Sequence, residues 1–166
     1  MENRVNVLFV CLGNICRSPM AEAVMRHLVE QEGLDGQIRV DSAGTGDWHL
    51  GSIPHEGTRK VLQRHHISYE NMKARLVIPE DKEAFQYILC MDHKNLKDVR
   101  RIFNLNDEQA SNGSTKLMTF MNLLPDSGVD EVPDPYYDGR FDYVFELVEQ
   151  GCKALLEQIK RGLEQG

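Results

Sequence analysis

The sequence predicts an α/β fold, a single doubly wound domain spanning residues 1–166, with a parallel sheet covered by helices on both faces. Three observations lead there. Short apolar, β-rich segments alternate with segments of helical period, the pattern of right-handed βαβ units. The polar residues Cys11, Ser42 and Asp92 fall at or just beyond predicted strand ends, where open α/β sheets collect their ligands. The 166 residues, 41% of them hydrophobic, can bury about 70% of the surface of the unfolded chain, enough for one sizeable core.

Arg4 to Val10 forms the first predicted strand and runs straight into the loop Cys11-Leu12-Gly13-Asn14-Ile15-Cys16-Arg17-Ser18-Pro19. Ser18 and Pro19 read as a helix opening, Ser18 as cap and Pro19 as the first helical residue, with Glu22 reinforcing the first turn. That helix shows an apolar face at Ala21, Val24, Met25, Leu28 and Val29, and Gly33 stops it. Ile38 to Ala43 is the second strand, and a Gly-rich loop from Gly44 to Gly57 carries the single tryptophan, Trp48. A helix from Thr58 to His66 follows.

Tyr87 to Met91 is a third strand. From Asp92 the chain is helical again, with Leu96, Val99 and Ile102 on one face. Lys116 to Phe120 makes a fourth strand, and Pro125 to Gly139 is a long loop rich in Pro, Asp, Gly and Tyr. The last element has the clearest period in the chain: Phe141, Val144, Phe145, Val148, Cys152, Leu155, Ile159 and Leu163 recur at helical spacing.

Composition removes several classes of function. Lys and Arg number 19 against 26 Asp and Glu, a formal net charge of -7, which argues against nucleic acid or an anionic membrane as partner. Four cysteines are too few for a disulfide scaffold and fit a reducing compartment, so a cytoplasmic location is expected. The apolar run Val7 to Leu12 is too short for a signal peptide or a membrane span. The histidines form no metal-binding pattern, and His65 and His66 cannot both face one ion from a helix. No metal or cofactor is expected.

The first loop carries the chemistry. By composition alone a bare Cys-x5-Arg pattern has little weight, but here it joins a buried strand to a helix, so successive N–H groups can curve around one anion. Gly13 can adopt positive φ and Asn14 tolerates it, which lets the loop close. N–H dipoles, the helix N-terminus and the Arg17 guanidinium all favour a charged sulfur at Cys11. Arg17 can bind two phosphoryl oxygens in a fork that Lys could not reproduce, and Ser18 is placed to hydrogen-bond the sulfur. A Walker-type loop is excluded, because no Gly-Lys-Ser/Thr follows. For a proton donor, the residues leave Asp126, Asp130, Asp134, Asp138 and Asp142 as competitors in one region.

Val10-Cys11-Leu12-Gly13-Asn14-Ile15-Cys16-Arg17-Ser18-Pro19-Met20-Ala21-Glu22 resembles the signature of low-molecular-weight protein tyrosine phosphatases. Asp134-Pro135-Tyr136 resembles their general-acid loop, and Ser42-Ala43-Gly44-Thr45 and Cys90-Met91-Asp92 match in order and spacing. The resemblance covers nearly the whole chain. It implies a four-stranded parallel sheet of flavodoxin-like type and a metal-independent phosphocysteine mechanism. In it Cys11 is the nucleophile, Arg17 and the loop residues Leu12, Gly13, Asn14, Ile15, Cys16 and Ser18 bind the phosphoryl group, and Asp134 is acid and then base. Trp48 and Tyr136 would wall the substrate ring, Ser42 would support the loop, and Asp92 would orient Arg17 or simply cap its helix. Cys16 could form a protective disulfide with Cys11.

The implied partner is a phosphotyrosine-containing protein, with a tyrosine kinase among the candidates, and the implied state a monomer or weak dimer. Ile15 separates this sequence from relatives that act on phosphoarginine, where the corresponding residue resembles Thr. Met72 is a departure, since animal members carry His near this point. An arsenate reductase on the same scaffold would relay a disulfide through two further cysteines close in sequence, and after Cys90 none follows until Cys152. A phosphate-binding module without catalysis would need neither the thiol nor the acid.

Overall fold

The computed structural model describes residues 4–105 and 115–165. Its centre is a four-stranded sheet: β1 (Val5–Cys11), β2 (Ile38–Gly44), β3 (Tyr87–Cys90) and β4 (Lys116–Thr119) lie in the order β2-β1-β3-β4, every neighbouring pair parallel. The chain winds from β1 outward to β2, then returns past β1 to β3. The strand order therefore reverses at β1, and a crevice opens between the carboxyl ends of β1 and β3. Cys11 is the last residue of β1, and Asp92 follows β3 by two residues.

Alternation along the strands sorts the core onto two faces. Val7 and Phe9 of β1, with Leu89 of β3, pack beneath α1 (Arg17–Gln31) and the long terminal helix. Leu8 and Val10, with Ile88 and Cys90, face the other way. They meet Leu96, Val99 and Phe103 of the helix that follows β3 and its C-cap. Both faces are covered, so Val7 through Cys11 are all buried.

The remaining helices are α2 (Glu56–Arg64), α3 (Asp81–Ala84), α4 (His93–Ile102), α5 (Pro135–Asp138) and α6 (Phe141–Gln165), with a 3₁₀ turn at Phe120–Leu123. The predicted period of α6 corresponds to its buried stripe, in which Val144, Phe145, Val148, Cys152, Leu155 and Ile159 join the core. No helix among the described residues is long and apolar enough to cross a membrane, and no group of His, Cys, Asp or Glu among them could hold a metal ion. His65 stacks on Phe145 with ring centroids 4.0 Å apart.

Four local expectations need correction. First, α1 begins at Arg17 with Cys16 as N-cap and no side-chain cap; Ser18 already lies in the first turn, its hydroxyl turned back to the loop. Second, Glu22 does not serve the first turn, because its carboxyl is drawn across to Ser42 on β2. Third, α2 starts at Glu56, since the His55 ring nitrogen Nδ1 accepts from the Gly57 N–H at 3.0 Å and caps it two residues early. Fourth, the expected loop from Pro125 to Gly139 contains α5, capped by the Asp134 carboxylate and ended by Gly139 at φ 74°.

Candidate active site

Residues 11–18 form a buried loop whose carbonyls are held from outside. Cys11 O accepts from Thr45 N (3.1 Å), Leu12 O from Gly46 N (2.9 Å), and Ile15 O from His55 N (2.7 Å). Cys16 O accepts from the Thr58 hydroxyl (3.0 Å). Within a trans peptide the C=O and the following N–H point in opposite directions. Drawing these carbonyls outward turns the N–H groups of Leu12, Gly13, Cys16 and Arg17 toward the loop interior, and the first turn of α1 adds N–H groups that have no partner inside the helix. The result is an anion cradle made of neutral dipoles.

The left-handed residue in this loop is Asn14, at φ 57°. Gly13, expected to take positive φ, does not; its missing side chain makes room for the His49 ring, whose Cδ2 would lie 3.1 Å from a Cβ there. Gly44 permits a close backbone approach, because a Cβ at that position would sit 2.7 Å from Leu12 O. Gly44 N in turn donates to Arg75 O, and Arg75 N to the Asn14 side-chain oxygen (3.0 Å). The segment before α3 thus braces the loop from behind.

Cys11 Sγ lies 3.0 Å from Ser18 Oγ and accepts from Asn14 N at 3.3 Å. Asn14 Nδ2 donates both to Ser18 Oγ (2.8 Å) and to Ser42 Oγ (3.0 Å). Arg17 is 3% exposed. Its Nη1 donates to Asp92 Oδ2 and to Val132 O, each at 2.9 Å, and its Nη2 reaches Asp134 Oδ2 at 3.5 Å. Asp92 performs both functions considered for it: Oδ2 holds Arg17, while Oδ1 accepts from Asn95 N at 2.8 Å in a reciprocal capping box on α4.

The cavity above the loop has a volume of about 460 Å³ and is lined by Cys11, Arg17 and Asp134 at its base and by aromatic residues higher up. Trp48 is 70% exposed, Tyr136 51% and Tyr137 76%. Tyr136 meets His55 edge-on at 5.7 Å and Tyr137 at 5.2 Å. Burial pushes the Cys16 thiol upward, with the neighbouring Cys11 and Asp134 charges adding to it. All four cysteines are free thiols.

A family model described as low molecular weight phosphotyrosine protein phosphatase matches residues 6–165. The chain is 44% identical over 157 residues to the low molecular weight protein-tyrosine-phosphatase YfkJ of Bacillus subtilis, covering 95% of this chain and 97% of that one. The crystal structure of YfkJ superposes with a TM-score of 0.89 over 96% of both chains. PtpA of Staphylococcus epidermidis, also a low molecular weight protein-tyrosine-phosphatase, is 43% identical over 155 residues, 93% of this chain and 94% of its own. A Drosophila arginine phosphatase shares the fold at 30% identity and a TM-score of 0.82, covering 93% of this chain and 97% of that one.

The chain belongs to the low molecular weight phosphotyrosine protein phosphatases. Members of this family work through a phosphocysteine intermediate, and in this chain Cys11, Arg17 and Asp134 line one cavity. Of the site residues the resemblance implies, Cys11, Leu12, Gly13, Ile15, Cys16, Arg17, Trp48, Asp134 and Tyr136 line the cavity, and Asn14, Ser18, Ser42 and Asp92 support it through the hydrogen bonds above; the competing aspartates Asp126, Asp130, Asp138 and Asp142 are not in its lining. His49 and Tyr137, which sequence reasoning did not single out, also line it. Thr45, His55 and Thr58, which hold the loop carbonyls, were missed as well; Thr45 belongs to the Ser-Ala-Gly-Thr segment and could have been found from it. Cys90 and Cys152 are fully buried and neither lines the cavity, so the cysteine relay of an arsenate reductase has no counterpart here.

Proposed function

We propose that this chain hydrolyses phosphotyrosine in proteins with Cys11 as nucleophile, Arg17 as the phosphoryl clamp and Asp134 as general acid and base, without a metal. The observation that carries the assignment is the position of Cys11 Sγ at the floor of an N–H-lined loop, with Ser18 Oγ at 3.0 Å and Arg17 and Asp134 beside it in one cavity. The sulfur attacks phosphorus in line. The loop N–H groups and Arg17 hold the equatorial oxygens, and Asp134 protonates the departing phenolate oxygen. Water, deprotonated by Asp134, then cleaves the S–P bond. Phosphate leaves, and Ser18 stabilises the returning thiolate.

Residues 1–166 act as one catalytic unit in this reading, in the cytoplasm, on a phosphotyrosine protein that could be a tyrosine kinase, and as a monomer or weak dimer. Selectivity for an aromatic phosphate is supported by Trp48 and Tyr136 on the cavity rim and by the apolar Ile15, 7% exposed, in its wall. Hydrolysis of para-nitrophenyl phosphate in EDTA tests the mechanism: wild type is active, and Cys11→Ser is inactive. Metal dependence or an active Cys11→Ser protein would contradict it. Phosphotyrosine and phosphoarginine peptides assayed side by side test the substrate, and a preference for phosphoarginine would overturn the Ile15 reading.

A further inference from the structure

Behind the cradle a line of hydrogen bonds runs away from Cys11 to a buried carboxylate. Glu22 on α1 is 8% exposed. Its Oε1 accepts from Ser42 Oγ at 2.6 Å, and its Oε2 accepts from Arg26 Nη1 at 2.9 Å. Ser42 Oγ in turn accepts from Asn14 Nδ2, which also donates to Ser18 Oγ, which touches Cys11 Sγ.

With Cys11 as the thiolate and Glu22 ionised, one arrangement of protons satisfies this line. Asn14 Oδ1 is occupied by the Arg75 N–H, so both Asn14 amide hydrogens point to hydroxyls. Ser42 accepts one and has only its own hydrogen for Glu22. Ser18 accepts the other and has only its own hydrogen for Cys11. Two acceptors, a carboxylate and a sulfur, therefore terminate one chain of donors centred on Asn14.

We propose that Glu22 is a positioning residue for Cys11: its ionised form, acting through Ser42 and Asn14, holds the Ser18 hydroxyl toward the sulfur, and turnover rises as Glu22 ionises. A proton on Oε1 would face the Ser42 hydroxyl donor, and a proton on Oε2 would face the Arg26 guanidinium. Either costs one of the two bonds that define the ionised arrangement. The inference rests on the phosphatase reading above.

Burial pushes the Glu22 carboxyl up to about 7, with Asp41 adding to the rise and Ser42 and Arg26 opposing it. The charges around it come from several elements. Arg26 and Glu30 lie on α1 and Asp35 follows it, Arg39 and Asp41 lie on β2, and Arg4 precedes β1. Asp41 is itself paired with Arg75 at 3.0 Å. Glu22, Arg26, Arg39, Arg4, Glu30 and Asp35 line a second cavity of about 330 Å³ whose lining shares no residue with the active-site cavity. Met72 lies with Asn14 and Ser42 about a third, smaller cavity, whose lining also includes the charged Lys73.

The test is the ratio of kcat for wild type over Glu22→Gln from pH 5.5 to 8.5, with para-nitrophenyl phosphate. The ratio is expected to rise from about one to several-fold with a midpoint near 7, because Gln mimics the protonated form. In an Arg26→Gln background the midpoint moves to higher pH, and in a Ser42→Ala background the ratio stays flat. NMR of the Asn14 side-chain amide supplies a readout independent of turnover: its resonances shift with the same midpoint in wild type and not in Glu22→Gln. A pH-independent ratio in an active wild type, or an Asn14 amide insensitive to Glu22, overturns the inference alone. An inactive wild type would instead defeat the phosphatase reading, and the Asn14 amide would still decide the coupling.

Discussion

Arg17 and Trp48 face the same cavity under opposite conditions. Arg17 is 3% exposed, and Asp92, Val132 and Asp134 bind it from different parts of the chain. Trp48 is 70% exposed and stands in the loop between β2 and α2. The same contrast separates the loop around Asn14 and Ser18, at 3% and 0% exposure, from Tyr136 and Tyr137 on the rim. Under the proposed mechanism, the groups that meet developing charge on phosphorus are already held by the fold, which removes the reorganisation they would otherwise undergo. Under the same proposal, the groups that recognise a flat ring are the solvent-exposed ones, and their replacement is expected to cost little.

If that division is right, substitutions in the cradle should act on kcat and those on the rim on KM. Arg17→Lys is expected to have the largest effect, a loss of roughly a thousandfold in kcat/KM, since an ammonium cannot both hold Asp92 and Val132 and clamp two phosphoryl oxygens. Steady-state kinetics of the folded variant check this; a loss under tenfold would mean that the cradle is less preorganised than its hydrogen bonds indicate.

Asp134→Ala should lower kcat by roughly a hundredfold for phenyl phosphate and less for para-nitrophenyl phosphate, whose phenolate leaves without help. Equal losses on the two substrates would remove Asp134 from the proton-donor role. Asp92→Asn separates the two duties of that residue, because Asn remains a good N-cap but carries no charge for Arg17. About a tenfold loss in kcat with an unchanged melting temperature is expected. A fall in melting temperature with normal kcat would reverse the assignment. Trp48→Ala should raise KM for a phosphotyrosine peptide by roughly fivefold, in line with the loss of one aromatic stacking contact, and leave kcat in place.

The smallest effect concerns stability. Burial raises the Glu22 carboxyl from its ordinary 4.5 to about 7, so the folded protein holds this proton more tightly than the unfolded chain. The resulting stabilisation is present in full below pH 4.5 and is lost as the pH rises through 7, a change of the order of 3 kcal/mol. Glu22→Gln escapes that loss, so its melting temperature should exceed that of wild type at pH 8 and approach it at pH 5. A difference independent of pH would show that Glu22 is not desolvated as described. Stability and turnover then pull this residue in opposite directions.

Much of this arrangement was legible in the sequence, and the reasons are physical. The central strands β1 and β3 announce themselves because they are covered on both faces, and α6 because a long helix must repeat its apolar residues to cover a sheet. The cradle was legible because Cys11, Gly13, Asn14, Arg17 and Ser18 all fall in one short segment. Contacts across the chain were not. Val132 holds Arg17 from 115 positions away, and Arg75 fixes Asn14 through its backbone, which any residue but proline could supply. Glu22 looked like a first-turn acid because nothing local reveals that its carboxyl crosses to β2. By residue type alone Asp134 was one of five aspartates; the Asp-Pro-Tyr resemblance singled it out, and in the fold its Oδ2 lies 3.5 Å from Arg17 Nη2.

The central claim is that Cys11 carries the phosphoryl group between substrate and water. Rapid-quench mass spectrometry during turnover of para-nitrophenyl phosphate tests it most directly, with Asp134→Ala used to slow hydrolysis of the intermediate while the activated phenolate still leaves without an acid. The peptide containing Cys11 is predicted to gain the mass of one phosphoryl group within the first turnover and to lose it as substrate is exhausted. Phosphoryl mass on any other residue, or turnover with Cys11 replaced by Ser, would contradict the account.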